Sequence, residues 1–253
     1  MTTVHPAAKV FLYLVVAGSV AVSFSWTAFA LFEVDSSSRL NSIANRIMSG
    51  DAYTGSMPSD AELAAAEAHS PCNALAVRSA AIIRLRAYED AVSQAGVKGA
   101  DVQMAALRRS VDRALACVPT ESFLWFVRYW IGLTDGKSAA EQLDSLKMSY
   151  RLGPNEGWIA LRRNVFALAI YNILPSDLQV LVLAEFASLV NSGFLKQALT
   201  NLKGPGWPLR EALLSELLGT KLAMRQYFYK MLRADGFDLE IPGVERREFR
   251  SWN

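Results

Sequence analysis

Residues 152–163 read LGPNEGWIALRR. Gly153-Pro154 halts whatever helix precedes it, because a helix interior cannot accept proline without losing a backbone hydrogen bond and meeting a clash. Asn155 and Glu156 then offer a side-chain acceptor and a negative charge to the start of the next helix. Trp158 opens a new apolar run. Two other stretches repeat the pattern, AHSPCNALAV (68–77) and ACVPTESFLW (116–125). Each has a helical tail, a proline, a polar pair and a fresh apolar run, so each reads as a seam between helices. Pro71, Pro119 and Pro154 stand 48 and 35 residues apart. The second interval is close to the 34-residue period of helix–turn–helix arrays.

Between these seams the pattern is helical. Helices are expected over 62–69, 72–94, 101–117, 121–133 and 138–152, then over 157–173, 177–192, 195–203 and 209–234. Gly96 and Gly99 frame one turn, and Asp135-Gly136, Gly193 and Gly236 close other helices. No run alternates in strand fashion between turn signals. The expected fold class is all-α.

The punctuation resembles the tetratricopeptide repeat family over roughly residues 60–192. That family places an aromatic early in its first helix, small residues where the two helices cross, and a proline at the end of the second. Pro119 and Pro154 fit the terminal proline, and Trp125 or Phe126 fits the aromatic. Tyr129 or Trp130 stands where a small residue belongs, with Ala140 the nearest small candidate in the second helix. That hairpin must therefore be wider, or cross differently. The resemblance implies a TPR-like α-solenoid of antiparallel hairpins over 60–235, an interaction scaffold and not an enzyme.

Residues 10–32, VFLYLVVAGSVAVSFSWTAFALF, carry no charge. At the helical rise they span roughly 35 Å, enough for a hydrocarbon core of about 30 Å. They are expected to form a transmembrane signal anchor, with residues 1–9 a cytoplasmic tail holding Lys9. The alternative is a signal peptide cleaved after Ala30, where Ala28-Phe29-Ala30 has the small-x-small pattern. Both readings export the remainder, and the expected location is a bacterial inner membrane with the C-terminal domain in the periplasm. Within the span, Ala17, Ala21 and Ser25 recur every four residues, a flat stripe for helix packing in the membrane. Residues 33–59 are expected to be a juxtamembrane helix, with Leu40, Ile43, Ala44 and Ile47 on one face, and then a linker. Residues 236–253 are expected to form a loosely packed tail. The layout also resembles small membrane-anchored helical-repeat proteins that accompany envelope polysaccharide export or polymerisation machinery.

Two cysteines, Cys72 and Cys117, lie in the exported part. An even pair in an oxidising compartment suggests a disulfide. Hairpin arithmetic opposes it: counted from the turn, the two positions sit roughly 9 Å apart along the axis, beyond disulfide reach. The bridge needs the first helix to start late or to bend, and the pairing stays open.

The chain has 253 residues, 52% hydrophobic and 20% charged, a globular composition. Beyond residue 32, 25 basic residues face 24 acidic ones, which argues against a nucleic-acid partner. His5 and His69 are the only histidines. Neither has a second ligand at zinc spacing. GPGWP (204–208) lacks lysine–serine chemistry and a preceding strand, so it reads as a turn. Carboxylates such as Glu62 and Glu67 read as solvating groups. No catalytic residue, metal or cofactor is expected. Binding features are richer. Arg128, Tyr129 and Trp130 cluster in one helix, and Trp158, Arg162 and Arg163 open the next of its kind. Aromatic and arginine neighbours grip peptides or stack on sugar rings, so Arg128, Trp158, Arg162 and Arg163 are the candidate partner-binding residues. The tryptophans read first as core, since large aromatics are mostly buried, and at least one of Arg162 and Arg163 should face solvent. The expected ligands are protein partners of the cell envelope, with a polysaccharide chain as the alternative.

Overall fold

The computed structural model describes residues 6–50, 56–69 and 72–245. Every regular element among them is helical. The chain divides into two compact units, Met1–Cys117 and Val118–Asn253. This division falls inside the stretch 60–235 that the sequence pattern suggests as one domain.

Unit 1 contains α1 (Pro6–Ser49), α2 (Asp60–His69), α3 (Ala74–Gly99) and α4 (Asp101–Cys117). The expected transmembrane helix over 10–32 is not supported. Among the described residues, no helix is long and apolar enough to cross a membrane. The uncharged run is instead part of the 44-residue α1, which continues through Glu33, Asp35 and Arg39. Side chains described within the run, such as Tyr13, Val20 and Trp26, are exposed. The packing role expected of Ala17, Ala21 and Ser25 falls with the span; all three lie on exposed helix surface. Residues 28–30, the expected cleavage site, are helical within α1, with the side chains of Phe29 and Ala30 outside what is described; the tail residues 1–5 and the linker residues 51–55 lie outside the described residues.

The C-terminal third of α1 has a different role. Leu40, Ile43 and Ala44 are buried, and Leu40 and Ile43 cluster with Leu63, Ala80 and Ile83. Ile47 and Met57 cover the edge of that cluster. The segment expected to be a juxtamembrane spacer therefore supplies one wall of the core. Ser37 ties it down further by accepting a 2.9 Å hydrogen bond from Asn73, whose own side chain caps α3 at the Ala76 amide. At the start of α2, the Ser59 hydroxyl accepts from the Glu62 amide, and the Glu62 carboxylate accepts from the Ser59 amide at 2.7 Å. This reciprocal capping box satisfies two amides that would otherwise be orphaned.

Antiparallel to α3 lies α4, with Met104, Leu107, Val111 and Ala114 buried at helical spacing. The connection breaks helical geometry at Gly96, whose φ of 74° suits glycine alone. A disulfide joins Cys72 and Cys117, with Cα atoms 5.1 Å apart. The offset expected from a straight hairpin is avoided because α3 begins only at Ala74 and bends at Gly96.

Unit 2 contains α5 (Ser122–Thr134), α6 (Leu143–Leu152), α7 (Gly157–Ala169), α8 (Ser176–Asn191), α9 (Leu195–Lys203), α10 (Arg210–Glu216) and α11 (Leu222–Ala234). Helix α5 pairs with α6 and α7 with α8, and the two hairpins stack α5 on α7 and α6 on α8. Phe123 meets Trp158 at 4.7 Å, while Phe126 and Tyr129 meet Phe166 at 5.7 and 6.4 Å. Both helices therefore run in the same direction. Three helices end in one way. At Gly136, Gly193 and Gly236 the backbone turns left-handed, and the next amide reaches back to Gly132, Leu189 or Leu232. This is the Schellman stop. The helix expected over 138–152 starts only at Leu143, although a Ser138–Glu141 capping box sits ahead of it. The single helix expected over 209–234 is broken by a 3-10 turn at Leu217–Gly219 and an extended Thr220.

The expected loose tail is likewise corrected for residues 236–245. Phe237 packs against Trp207 at 5.2 Å, Ile241 is buried, and Arg225 donates to the Pro242 carbonyl. Phe249 and Trp252 lie outside the described residues.

Candidate functional site

The opening stretch, 152–163, sits at the centre of unit 2. Its last residue, Arg163, is fully buried. The turns of α7 place Ile159, Ala160, Arg163, Asn164, Ala167 and Leu168 on the inward face, so the guanidinium points into the junction of the two hairpins. It donates to the Ser149 hydroxyl at 2.9 Å, to the Gly153 carbonyl at 3.0 Å and, through Nε, to Glu185 at 3.1 Å. A second donor, Nη2, closes the ion pair with the same carboxylate. The ring of Tyr150 lies 3.8 Å from the guanidinium carbon, a stacked cation–π arrangement. The Tyr150 hydroxyl donates to the other Glu185 oxygen at 2.6 Å. Burial first, and then the Glu185 carboxylate, hold this phenol well above the usual tyrosine range. Tyr150 is therefore a neutral donor at any ordinary pH. Asn164 extends the network to the Val182 carbonyl at 3.0 Å and to Asn201 at 2.9 Å. The network thus ties α6, α7, α8 and α9 together.

A smaller node sits in unit 1. Arg84 on α3 grips both Glu67 oxygens at 2.8 Å. Ser110 on α4 donates to the same carboxylate. Glu67, expected to be a solvating group, is 5% exposed. In the Arg163 node the charge is enclosed and its donors are taken up by the protein, whereas Arg84 keeps a buried Nε that makes no hydrogen bond and lies 3.5 Å from Asp60. Chemically these are clamps, with no face open to a substrate.

Arg163 consequently leaves the candidate binding set: it cannot reach a partner. Arg162, its neighbour, is exposed, as is Arg128. The Arg128 guanidinium lies 5.5 Å from the Trp125 ring. That ring is fixed by its indole N–H, which donates to the Pro119 carbonyl at 2.7 Å. Trp158 is half-buried, one face on Phe123, and Arg162 follows it by one turn. The structure thus assembles Trp125 with Arg128 on α5 and keeps Trp158 and Arg162 on the adjacent α7. Trp125, which fits the early helix aromatic, pairs with Arg128 at i, i+3, a spacing that puts both on one face of α5. Trp207 and Arg210 make a second such pair, at 5.2 Å, across the junction of the expected turn at 204–208 and the helix expected from 209. The side chain of His69 lies outside the described residues. Among the described residues there is no group of three or more histidine, cysteine or acidic side chains placed to hold a metal ion.

Compared with protein-family models, curated proteins and solved structures, the chain matches none significantly.

Proposed function

We propose that this chain is a non-enzymatic binding scaffold of helical-repeat type, resembling tetratricopeptide arrays, that engages a protein partner through the outer surface of α5 and α7. The observation that supports this most is the pairing of stacked, co-directional helices with exposed arginines beside fixed tryptophans. Aromatic and arginine side chains dominate binding energy at protein interfaces. Here they are mounted on helices whose junction is locked from inside, so little order has to be gained on binding. The Cys72–Cys117 disulfide supports an oxidising, exported compartment as the place of action.

The test is quantitative capture of partners by the full chain and by an Arg128→Glu/Arg162→Glu variant. Loss of a defined partner in the variant, with an unchanged unfolding midpoint, supports the reading. Equal recovery refutes it. A polysaccharide chain is the second reading, favoured by the Trp125 ring held with arginine against it, since such rings stack on sugars. Retention on oligosaccharide that is lost in Trp125→Ala would place it first.

A further inference from the structure

The Cys72–Cys117 bridge closes the open end of the α3–α4 hairpin in unit 1, opposite the turn at Gly96. Its two ends differ. Cys72 is exposed and sits in the irregular stretch between α2 and α3, whereas Cys117 is half-buried as the last residue of α4. The chain has no other cysteine, so no third thiol of its own can displace either sulfur. Exposed disulfides are the labile and regulatory ones, because a thiolate can reach them without the fold opening first.

The exposed end also adjoins a joint between helices. Asn73, the next residue, caps α3 at the Ala76 amide and donates to the Ser37 hydroxyl of α1 at 2.9 Å. Ser37 is itself buried. Further along, Leu40 and Ile43 of α1 cluster with Ala80 and Ile83 of α3. The bridge therefore pins the residue beside the polar tie between α1 and α3. At the other end, Cys117 follows the buried Ala114 and Leu115, so packing holds α4 in place without the sulfur.

We infer that this bridge is a redox switch: an external dithiol opens it in the folded protein by attacking Cys72, and opening frees Asn73 from Ser37 and loosens α1 on α3. A thiolate of the dithiol bonds to the Cys72 sulfur. The disulfide breaks, and Cys117 leaves with the electron pair and takes a proton from water. The second thiolate of the dithiol then displaces Cys72 from the mixed disulfide. The dithiol ends oxidised to a disulfide and the bridge ends as two thiols, a balanced two-electron exchange. A single neutral hydrogen bond is too weak to hold a segment that the covalent link has released.

The experiment treats folded, full-length protein with dithiothreitol and counts thiols over time, with and without urea below the unfolding transition. Release at a rate that ignores urea is expected, since attack through the native state needs no unfolding. Reduced glutathione, a monothiol, should leave its adduct on Cys72, mapped by peptide mass spectrometry. In the reduced protein, far-ultraviolet circular dichroism should be unchanged. Amides of residues 37–44 and 74–77 should nevertheless exchange with solvent about tenfold faster or more. Asn73→Ala with the bridge intact should show the fast exchange of 37–44 already, and reduction should add little to it. Thiol release that climbs with urea in parallel with unfolding, an adduct on Cys117, or loss of helix on reduction overturns the proposal. So does exchange of 37–44 that is equally slow before and after reduction, or unaltered in Asn73→Ala.

Discussion

Replacing Arg163 by methionine keeps most of the stem volume and deletes the guanidinium. Glu185, 4% exposed, would keep the Tyr150 hydroxyl and lose the cation that holds it. Breaking a buried ion pair from one side costs roughly 3–5 kcal/mol, because a charge is stranded without solvent. The Gly153 carbonyl and Ser149 hydroxyl lose their donors in the same step. For a unit the size of Val118–Asn253, each kcal/mol moves the melting midpoint by roughly 2–6 °C, so a fall of about 10–20 °C is expected. Thermal unfolding reads the midpoint and urea unfolding the free energy, both followed by tryptophan fluorescence. All the tryptophans except Trp26 lie in residues 118–253, so the signal reports mainly on this unit. Arg162→Met, one residue away but exposed, should change stability by about 0.5 kcal/mol or less. An Arg163→Met/Glu185→Leu double variant should be more stable than Arg163→Met alone, since no charge is left unpaired. If Arg163→Met unfolds within about 1 kcal/mol of the parent, the clamp assigned to this arginine does not exist.

The remaining expectations concern local devices. The disulfide closes a 45-residue separation, and the chain-entropy relation for a loop of that length gives about 4 kcal/mol. A Cys72→Ser/Cys117→Ser variant should lose up to that amount, with protection of α3 and α4 amides from hydrogen exchange reduced and unit 2 unaffected. Glu62 and Glu141 both have pKa values below the ordinary carboxylate value, Glu62 chiefly through the Ser59 amide and Glu141 chiefly through the Ser138 hydroxyl. Depressed carboxylates contribute stability that is present above the unfolded pKa and lost as pH falls through the folded one. Glu141→Gln should therefore flatten the acid limb of the stability profile below about pH 4.5 and leave the neutral plateau nearly unchanged in slope. A side chain at Gly153 would meet the Ser122 Cβ at 2.7 Å and a Glu156 oxygen at 2.8 Å. Gly153→Ala should cost about 1–3 kcal/mol by overpacking. Gly132→Ala should cost less, as its obstacle is the movable end of Gln142; parallel urea curves compare the two.

What could be read from the sequence was local. Gly136, Gly193 and Gly236 end helices through their own backbone freedom; Glu62, expected to be a solvating group, in fact closes a capping box with Ser59. The inward face of the late part of α1 was legible too, because Leu40, Ile43, Ala44 and Ile47 share one stripe. The failures involve partners far along the chain or a single step of helical phase. Arg162 and Arg163 differ by about 100° around α7; the apolar phase set by Ile159, Ala160 and Ala167 turns Arg163 inward, and its partner Glu185, 22 positions away, is what makes a charge tolerable there. The turn at Gly96 is legible as a glycine, but the start of α3 at Ala74 rather than at residue 72 is set by the Asn73 cap and its partner Ser37, 36 positions away. The division of 209–234 into α10 and α11 had only Gly219 to announce it. The tail is fixed through Phe237 on Trp207 and the Pro242 carbonyl on Arg225, which lie in elements the tail must first fold against.

Each unit places one arginine–glutamate clamp where several helices meet, although apolar side chains would fill the same space without desolvating charge. The difference lies in direction. Leucine against leucine tolerates small slides between helices, whereas the Arg163 fork must meet Ser149, Gly153 and Glu185 together. Only one register of α6, α7 and α8 satisfies all three. A buried polar group can thus fix geometry while adding little net stability. The double variant proposed above separates these two effects. With Arg163 and Glu185 both apolar, the unit should remain folded by far-ultraviolet circular dichroism, yet amides of α7 and α8 should exchange at least tenfold faster with solvent. Exchange as slow as in the parent protein would mean that packing alone sets the register, and that the positions of Arg128 and Arg162 on the outer surface owe nothing to the charge beneath them.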